Sequence, residues 1–439
     1  MAEVDPASRP HPQVRWLIAA SAVSNLGDGM ALVAFPWIAS LLTREPVLIG
    51  LVGTSVQLAW IGGPLIVGPL IDRALRLRLI RTSLIVQSAI AGVLGGVMLV
   101  GFDLGDWQLD DGAGYLGIAV LIAAVVALGI AEVVRDLGAE ALLPEITSKA
   151  SLERSNSRLL TAELIASRFV GQPLGGLLLT VGASIPLLLD SLSFLASAVL
   201  LSPLKETRTA VDQGTATAKA TITEGLEGLR WLWNFRVLRS MTLALAWTNL
   251  MSGIAVAILV LYVQEVLHLG SVQYGALLTA GAVGGVLGGL GADRLLSWLG
   301  PGPVTIACII AKALAYWVLT ISGSVLGAGI ALAVLGASTL PWSVASRSLR
   351  QRLTPSDLLG RVSGAHRSLN FGAIPIGMLL GGGIASAVGT TPASPVALQA
   401  PFFVAALGMT LLVPVASIRF GQRSFWMGDN DADVHRAPV

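Results

Sequence analysis

The chain has 439 residues, 54% hydrophobic and only 12% charged, with a formal net charge of +2 and a mean hydropathy of +0.77. A soluble domain carries roughly twice that share of charge, so a water-soluble enzyme or binding domain is excluded. One cysteine, Cys308, excludes an intrachain disulfide and a multi-cysteine metal site, and four scattered histidines, His11, His268, His366 and His435, lack metal-ligand spacing.

A helix needs about 20 apolar residues to cross a bilayer. Met1–Arg15 is polar, and the apolar run after it outlasts a signal-peptide core, so the first span is expected to stay in the mature protein. Apolar runs predict spans at Trp16–Leu42, Leu48–Ile71, Leu79–Phe102, Tyr115–Arg135, Leu159–Val181 and Ile185–Leu204. After the polar stretch Lys205–Arg236 come Val237–Val263, Tyr274–Leu295, Val304–Ser322, Val325–Ser346, Val362–Val388 and Val396–Ile418. Glu224–Arg239 (EGLEGLRWLWNFRVLR) interleaves Leu226, Leu229, Trp231, Leu232 and Trp233 with charge, which predicts a helix lying in the headgroup region. The 50 glycines suit helices that pack closely through small residues.

The expected fold class is therefore all-α integral membrane, with twelve transmembrane helices in two pseudo-symmetric six-helix bundles. The expected organisation is a cytoplasmic segment 1–15, a bundle 16–204, a cytoplasmic linker 205–236 with the interfacial helix, a bundle 237–418 and a cytoplasmic tail 419–439. Basic residues of the short loops set orientation. Arg9 and Arg15, Arg73, Arg76 and Arg78, Lys149, Arg154 and Arg158, the basic linker, Arg347, Arg350, Arg352 and Arg361, and the tail all fall on one side of twelve spans. The alternate loops hold little beyond Arg44, and one carries Asp103, Asp106, Asp110 and Asp111. Both termini are expected in the cytoplasm, with the chain in the cell membrane.

The two halves repeat one another. Gly68-Pro-Leu-Ile-Asp72-Arg73 is matched by Gly289-Leu-Gly-Ala-Asp293-Arg294, and Leu143-Pro-Glu-Ile-Thr147 with Arg154 by Leu353-Thr354-Pro-Ser-Asp357 with Arg361. Parallel repeats of this kind place a substrate site near the midplane between the halves.

The stretch Gly68–Arg78 (GPLIDRALRLR) resembles the signature loop of the major facilitator superfamily. Leu142-Leu-Pro-Glu145, Asp190-Ser-Leu-Ser-Phe194 and Ser24-Asn-Leu-Gly-Asp28-Gly29 resemble its drug:proton antiporter branch, which holds macrolide-efflux and siderophore (enterobactin) exporters. The run Gly171, Gln172, Pro173, Leu174, Gly175, Gly176 resembles the helix-bend motif associated with export, with Gln172 where that motif has glycine. The resemblance implies a secondary active transporter that expels amphipathic small molecules against protons by alternating access. A siderophore exporter or a nutrient importer of the same superfamily is the alternative. It also implies a cytoplasmic gate of Gly68, Asp72, Arg73, Arg76, Glu132, Asp136, Asp293 and Arg294. In that gate Asp72 would accept from the start of the eleventh span near Gly360–Val362. Arg73 or Arg76 would pair with Glu132 or Asp136 at the end of the fourth span, and Asp293-Arg294 would meet the fifth span near Asn156.

An ionisable residue deep in a span is a functional candidate by default. Asp28 lies roughly 18 Å into the first span at about 1.5 Å per residue. Burial favours a neutral carboxyl, as proton uptake requires, which makes Asp28 the first coupling candidate. Glu163 is a second, and Arg168 is expected to pair with an acid on another span. Asn25, Gln57, Trp60, Trp247, Asn249, Trp342 and Asn370 suit contact with a large amphipathic ligand. Asp190 is expected to bond Ser193, and Lys312 has no assigned role. No Walker motif or Ser-His-Asp constellation is present, so neither catalytic nor metal residues are assigned and no enzyme activity is expected. The cofactor expectation is none, with the proton motive force as energy source. The expected partners are a small-molecule substrate and the lipid bilayer, with no nucleic acid, and the chain is expected to be monomeric.

Overall fold

Lipid supplies no hydrogen bonds, so a chain this apolar must satisfy its backbone within helices or a closed barrel. The structure is a computed structural model that describes residues 12–73, 75–103, 111–148, 151–205, 227–355, 358–388 and 394–427, and among these no strand occurs. Helices α1 (Pro12–Leu42), α2 (Pro46–Arg73) and α3 (Arg76–Met98) are followed by α4 (Asp111–Ile146). Then come α5 (Leu152–Leu164), a π-helical turn Ile165–Gly171, α6 (Gln172–Leu178) and α7 (Ile185–Leu200). A short helix α8 (227–234) precedes α9 (Arg236–Val256) and the brief α10 (Leu259–Leu261). The series closes with α11 (Ser271–Leu299), α12 (Pro301–Ile321), α13 (Val325–Ala337), α14 (Thr339–Leu353), α15 (Leu359–Val388), α16 (Pro395–Phe420) and α17 (Arg423–Met427).

Eight of the described helices are long and apolar enough to cross a membrane. A ninth arises if Arg236–Val256 and Leu259–Val266, bent by 43°, form one span, and Pro46–Ile61 and Ile185–Leu200 are shorter apolar helices. With the segmented run from Leu152 to Leu178, each of the twelve predicted spans has a helix at its position.

Three boundaries differ from expectation. The fourth span does not end at Arg135, because α4 continues to Ile146 with Pro144 inside it. Hydropathy falls at Glu132, Arg135 and Asp136, but these charges are met by other side chains, so the helix need not stop. The fifth span begins at Leu152 rather than Leu159, with a polar, amphipathic first segment. Its bend is a π-helical turn ending at Gly171, immediately before the Pro173 segment. Pro173 has no N–H to donate to the preceding turn, and the wide turn absorbs that missing bond. The tenth span is divided into α13 and α14, which meet at Ser338.

The described residues fall into two compact units. The first takes in 1–43, 58–218 and 271–276. There α1 packs on α7, on the π-turn and on α4, and α3 packs on α4 and α7. Close approach explains the glycines of this unit. A Cβ at Gly29 would strike the Ser167 backbone, and one at Gly171 would strike Leu26 and Gly29. Ser271 Oγ donates to Gly176 O at 2.8 Å, which ties the first turn of α11 into the same unit.

The second unit takes in 44–57, 219–270 and 277–439. Its main pairs are α9 on α15 and α12 on α16, with α13 and α14 beside α12. Thr54 Oγ1, on the first part of α2, lies 3.3 Å from the Pro375 carbonyl of α15. Within the stretch 224–239, α8 covers 227–234 and α9 begins at Arg236, and Arg361 Nη1 donates to Glu227 Oε2 at 2.7 Å.

Candidate functional site

In the first unit, α1 presents Ser21, Ser24, Asn25 and Asp28 at helical spacing, and α4 presents Glu132, Arg135 and Asp136. Arg135 is the hub. Its Nη2 donates to Asp28 Oδ2 at 2.8 Å, and its Nε donates to Asp136 Oδ1 at 2.9 Å. Nη1 reaches Gln87 Oε1 of α3 at 3.4 Å, and the guanidinium carbon stands 5.7 Å from the Phe194 ring centroid. The Arg135 side chain is 5% exposed and that of Asp28 22%, so this ion pair is largely removed from solvent. Such a pair is held by close geometry, and removing one partner strands the other.

Further carboxyls surround this hub. Glu132 hydrogen-bonds Trp60 of α2 and feels Asp28, Asp136 and Arg135 electrostatically. Asp190 of α7 is fully buried and interacts with Asp28, Arg135 and Glu132. Ser193 Oγ donates to the Asp190 carbonyl at 2.7 Å and lies 3.5 Å from its carboxylate, the expected local bond. A side chain at Gly27 would collide with the Asp190 carboxylate, so α1 and α7 meet closely one residue from Asp28. On the next turns of α1, Ser21 Oγ donates to Glu163 Oε1 of α5 at 2.7 Å, and Asn25 Nδ2 donates to the Ser21 carbonyl at 2.9 Å. A cavity of about 20 Å³, lined by Ser21, Ser24, Arg135, Asp136 and Ala139 among others, adjoins both sets. That volume suffices for about one water among polar partners.

This arrangement corrects two expectations. Arg76 does not pair with Glu132 or Asp136: its Nη1 donates to Glu145 Oε1 at 2.8 Å and to the Ala141 carbonyl at 2.6 Å. Because α4 runs on to Ile146, Glu145 lies near the helix end that Arg76 reaches, while Glu132 and Asp136 lie turns deeper. These two acids therefore belong to the Arg135 cluster. Arg135 is not among the sequence-predicted site residues, because hydropathy makes it the last residue of a span. The signal was present in the charges Glu132, Arg135 and Asp136, flanked on both sides by apolar sequence.

The other gate residues contribute less geometry. The surroundings of Gly68 and the side chains of Asp72 and Arg73 lie outside what the structure describes, and with them the expected Asp72 contact. Asp293 and Arg294 are exposed, and the Arg294 guanidinium carbon stands 5.1 Å from the Trp298 ring one turn along α11. In the helix-bend motif, Gly171 and Gly175 seat against α1 and Gly176 against Ser271, so these glycines act as packing surfaces around Pro173.

In the second unit, Asn249 Nδ2 donates to the Asn370 carbonyl at 3.0 Å, and Asn370 Nδ2 donates to the His366 carbonyl at 2.7 Å. His366 Nδ1 in turn meets Thr242 Oγ1 at 2.8 Å. Trp247, 40% exposed, donates to the Gly408 carbonyl at 2.9 Å. Gln57 is half-buried on α2. Trp342 does not line an open wall: it is 1% exposed, with Lys312 Nζ 6.0 Å from its ring centroid. The α12–α14 contact that closes over the indole also houses the lysine that had no assigned role. Among the described residues, no three His, Cys, Asp or Glu side chains are placed to hold a metal ion.

A family model described as the Major Facilitator Superfamily matches residues 17–378. The chain is 28% identical over 385 residues to the "Multidrug efflux pump Tap" of Mycobacterium tuberculosis, covering 85% of this chain and 87% of that protein. It is 25% identical over 406 residues to the protein of the same name from Mycolicibacterium fortuitum, covering 91% and 94% respectively. In fold it is similar to a bacterial homologue of the iron transporter ferroportin in an inward-facing state, with a TM-score of 0.71 at 16% identity over 94% of this chain and 99% of that one.

Proposed function

The chain belongs to the Major Facilitator Superfamily, and from that premise we propose that it is an exporter of amphipathic small molecules driven by inward proton flow through alternating access. The observation that carries the proton coupling is the Arg135 cluster. Two carboxyls, Asp28 and Asp136, pair with one guanidinium, and two more, Glu132 and Asp190, feel it electrostatically. One guanidinium does not pair with four carboxylates at close range, so Asp28 has competitors for its cation. Proton uptake by Asp28 weakens its 2.8 Å bond to Arg135 and frees the guanidinium for its other acids. This gives α1 and α4 two arrangements that differ by one proton. The Ser21–Glu163 bond and the small adjoining cavity supply the polar route by which a proton reaches the cluster.

Export is supported by the relatives' name, multidrug efflux pump, and by the glycine-lined fifth span, and the amphipathic class of substrate by the aromatic and amide side chains Trp60, Trp247 and Asn249. The likeness to an iron-transporter homologue, at 16% identity, shows the fold alone and carries no substrate to this chain. In the proposed arrangement both termini are cytoplasmic in the cell membrane, 16–204 and 237–418 are the two bundles, and the protein acts as a monomer. Asp72, Arg73, Asp293 and Arg294 serve as the gate. Trp60, through its bond to Glu132, couples substrate contact to the acids.

The test is accumulation of fluorescent and antibiotic amphiphiles in a pump-deficient bacterium expressing wild type, Asp28→Asn or Arg135→Met. Wild type is expected to lower accumulation only while a proton gradient exists, and both variants are expected to fail, Asp28→Asn at normal expression. If wild type lowers accumulation equally with a protonophore present, proton coupling is wrong. If it raises accumulation, export is wrong and uptake replaces it.

A further inference from the structure

A second ionisable group is buried in the other unit, and its surroundings have the opposite chemistry. Lys312, in the middle of α12, is 7% exposed. Its Nζ lies 3.4 Å from Thr339 Oγ1 and 6.0 Å from the Trp342 ring centroid. Thr339 Oγ1 itself donates to the Leu335 carbonyl at 2.9 Å, so it meets the ammonium as an acceptor. Cys308, one turn away, is the titratable neighbour that acts on Lys312, and among the described residues no carboxylate does. An ammonium has three N–H donors, and one hydroxyl with one ring face does not satisfy them.

The rest of the seam is also rich in donors. Thr305, Cys308 and Lys312 follow at i, i+3 and i+7 on one face of α12, and Thr339, Trp342 and Ser346 follow at the same spacing on α14. These two helices pack on each other. Trp342 Nε1, Ser346 Oγ and Thr305 Oγ1 are buried without a hydrogen-bond partner among the described residues. Their residues are 1%, 3% and 0% exposed. A charge in a membrane helix without a counter-charge is costly, and so is a buried donor without an acceptor. A single negatively charged acceptor answers both, because charge-assisted hydrogen bonds are the strong ones.

We propose that the α12–α14 seam is a binding site for a small monovalent anion, a halide or short carboxylate, held by the Lys312 ammonium and the Trp342 indole N–H. Direct packing of the two helices limits the occupant to this size. The hydroxyls of Ser346 and Thr305 extend the polar file along the same seam.

The test uses purified full-length protein in detergent, at constant ionic strength in gluconate, titrated with chloride, bromide or formate. Thermal unfolding is followed for wild type, Lys312→Met, Lys312→Arg and Trp342→Phe. Wild type is expected to show a saturable rise in Tm with the small anions, and Lys312→Met to show none. Trp342→Phe, which removes the N–H and keeps an aromatic ring, is expected to bind about tenfold more weakly. Lys312→Arg, which retains the cation, is expected to keep a response. Bromide quenching of tryptophan fluorescence gives an independent reading, with the wild-type excess lost in Trp342→Phe. No anion-dependent shift in wild type, or the same shift in Lys312→Met, overturns the proposal. Either result assigns the seam to a neutral lysine with hydrating water.

Discussion

The two buried charge centres are built on opposite plans. Around Arg135, one guanidinium serves several carboxyls and has direct ion pairs at 2.8 and 2.9 Å. Around Lys312, an ammonium has a hydroxyl, an aromatic ring and no carboxylate among the described residues. An acid-rich centre has surplus sites for protons, whereas a donor-rich centre has surplus sites for an anion. Both are buried cations, so burial alone does not separate them. The balance of partners does.

Removing each cation separates the two plans most sharply. Arg135→Met strands several acids at once, and its expected cost is about 3–5 kcal/mol in unfolding free energy. Lys312→Met in gluconate removes an uncompensated charge and fills the same space with apolar atoms. It is expected to be neutral or stabilising, by about 1–4 kcal/mol. Denaturation of both variants in the same detergent checks the contrast, and equal losses would erase it. A smaller effect comes from packing beside the acid cluster. Gly171→Val pushes a side chain against the Leu26 carbonyl and Gly29 of α1, and about 1–3 kcal/mol is expected. Its transport defect should exceed that of an equally destabilising change remote from α1. Arg76→Gln breaks a pair whose side chains are 14% and 20% exposed, and about 1 kcal/mol is expected. The smallest effect belongs to Glu227→Gln, because its bond to Arg361 joins side chains that are 36% and 56% exposed. A thermal shift near zero is the expected result there.

Fold class and family are readable in the sequence because apolar runs, basic loops and the Gly68–Arg78 signature are local features. Asp28 is readable for the same reason, as an acid within an apolar span. Its partner is not. Arg135 is 107 positions away in the chain, and its place at a predicted helix end concealed its depth. Hydropathy treats charge as a boundary, but α4 carries Glu132, Arg135 and Asp136 inside the helix because other helices satisfy them. The mutual seating of Gly29, Ser167 and Gly171 likewise depends on two helices meeting, and only the proline that accompanies the wide turn shows in one-dimensional pattern. Trp342 is buried rather than placed for ligand contact, and an aromatic near a span centre has the same sequence signature whether it faces a cavity or a neighbouring helix. Lys312 decides between these only once α12 and α14 are seen together.

The most direct measurement is ethidium transport in proteoliposomes, with wild type and Asp28→Asn compared under an imposed pH gradient and in gradient-free exchange. Wild type should perform both. Asp28→Asn should lose gradient-driven transport while retaining exchange, because the carboxamide removes the proton site and leaves the substrate path. Gradient-driven transport by Asp28→Asn at the wild-type rate would contradict the assignment of Asp28 and Arg135 as the proton-coupling pair.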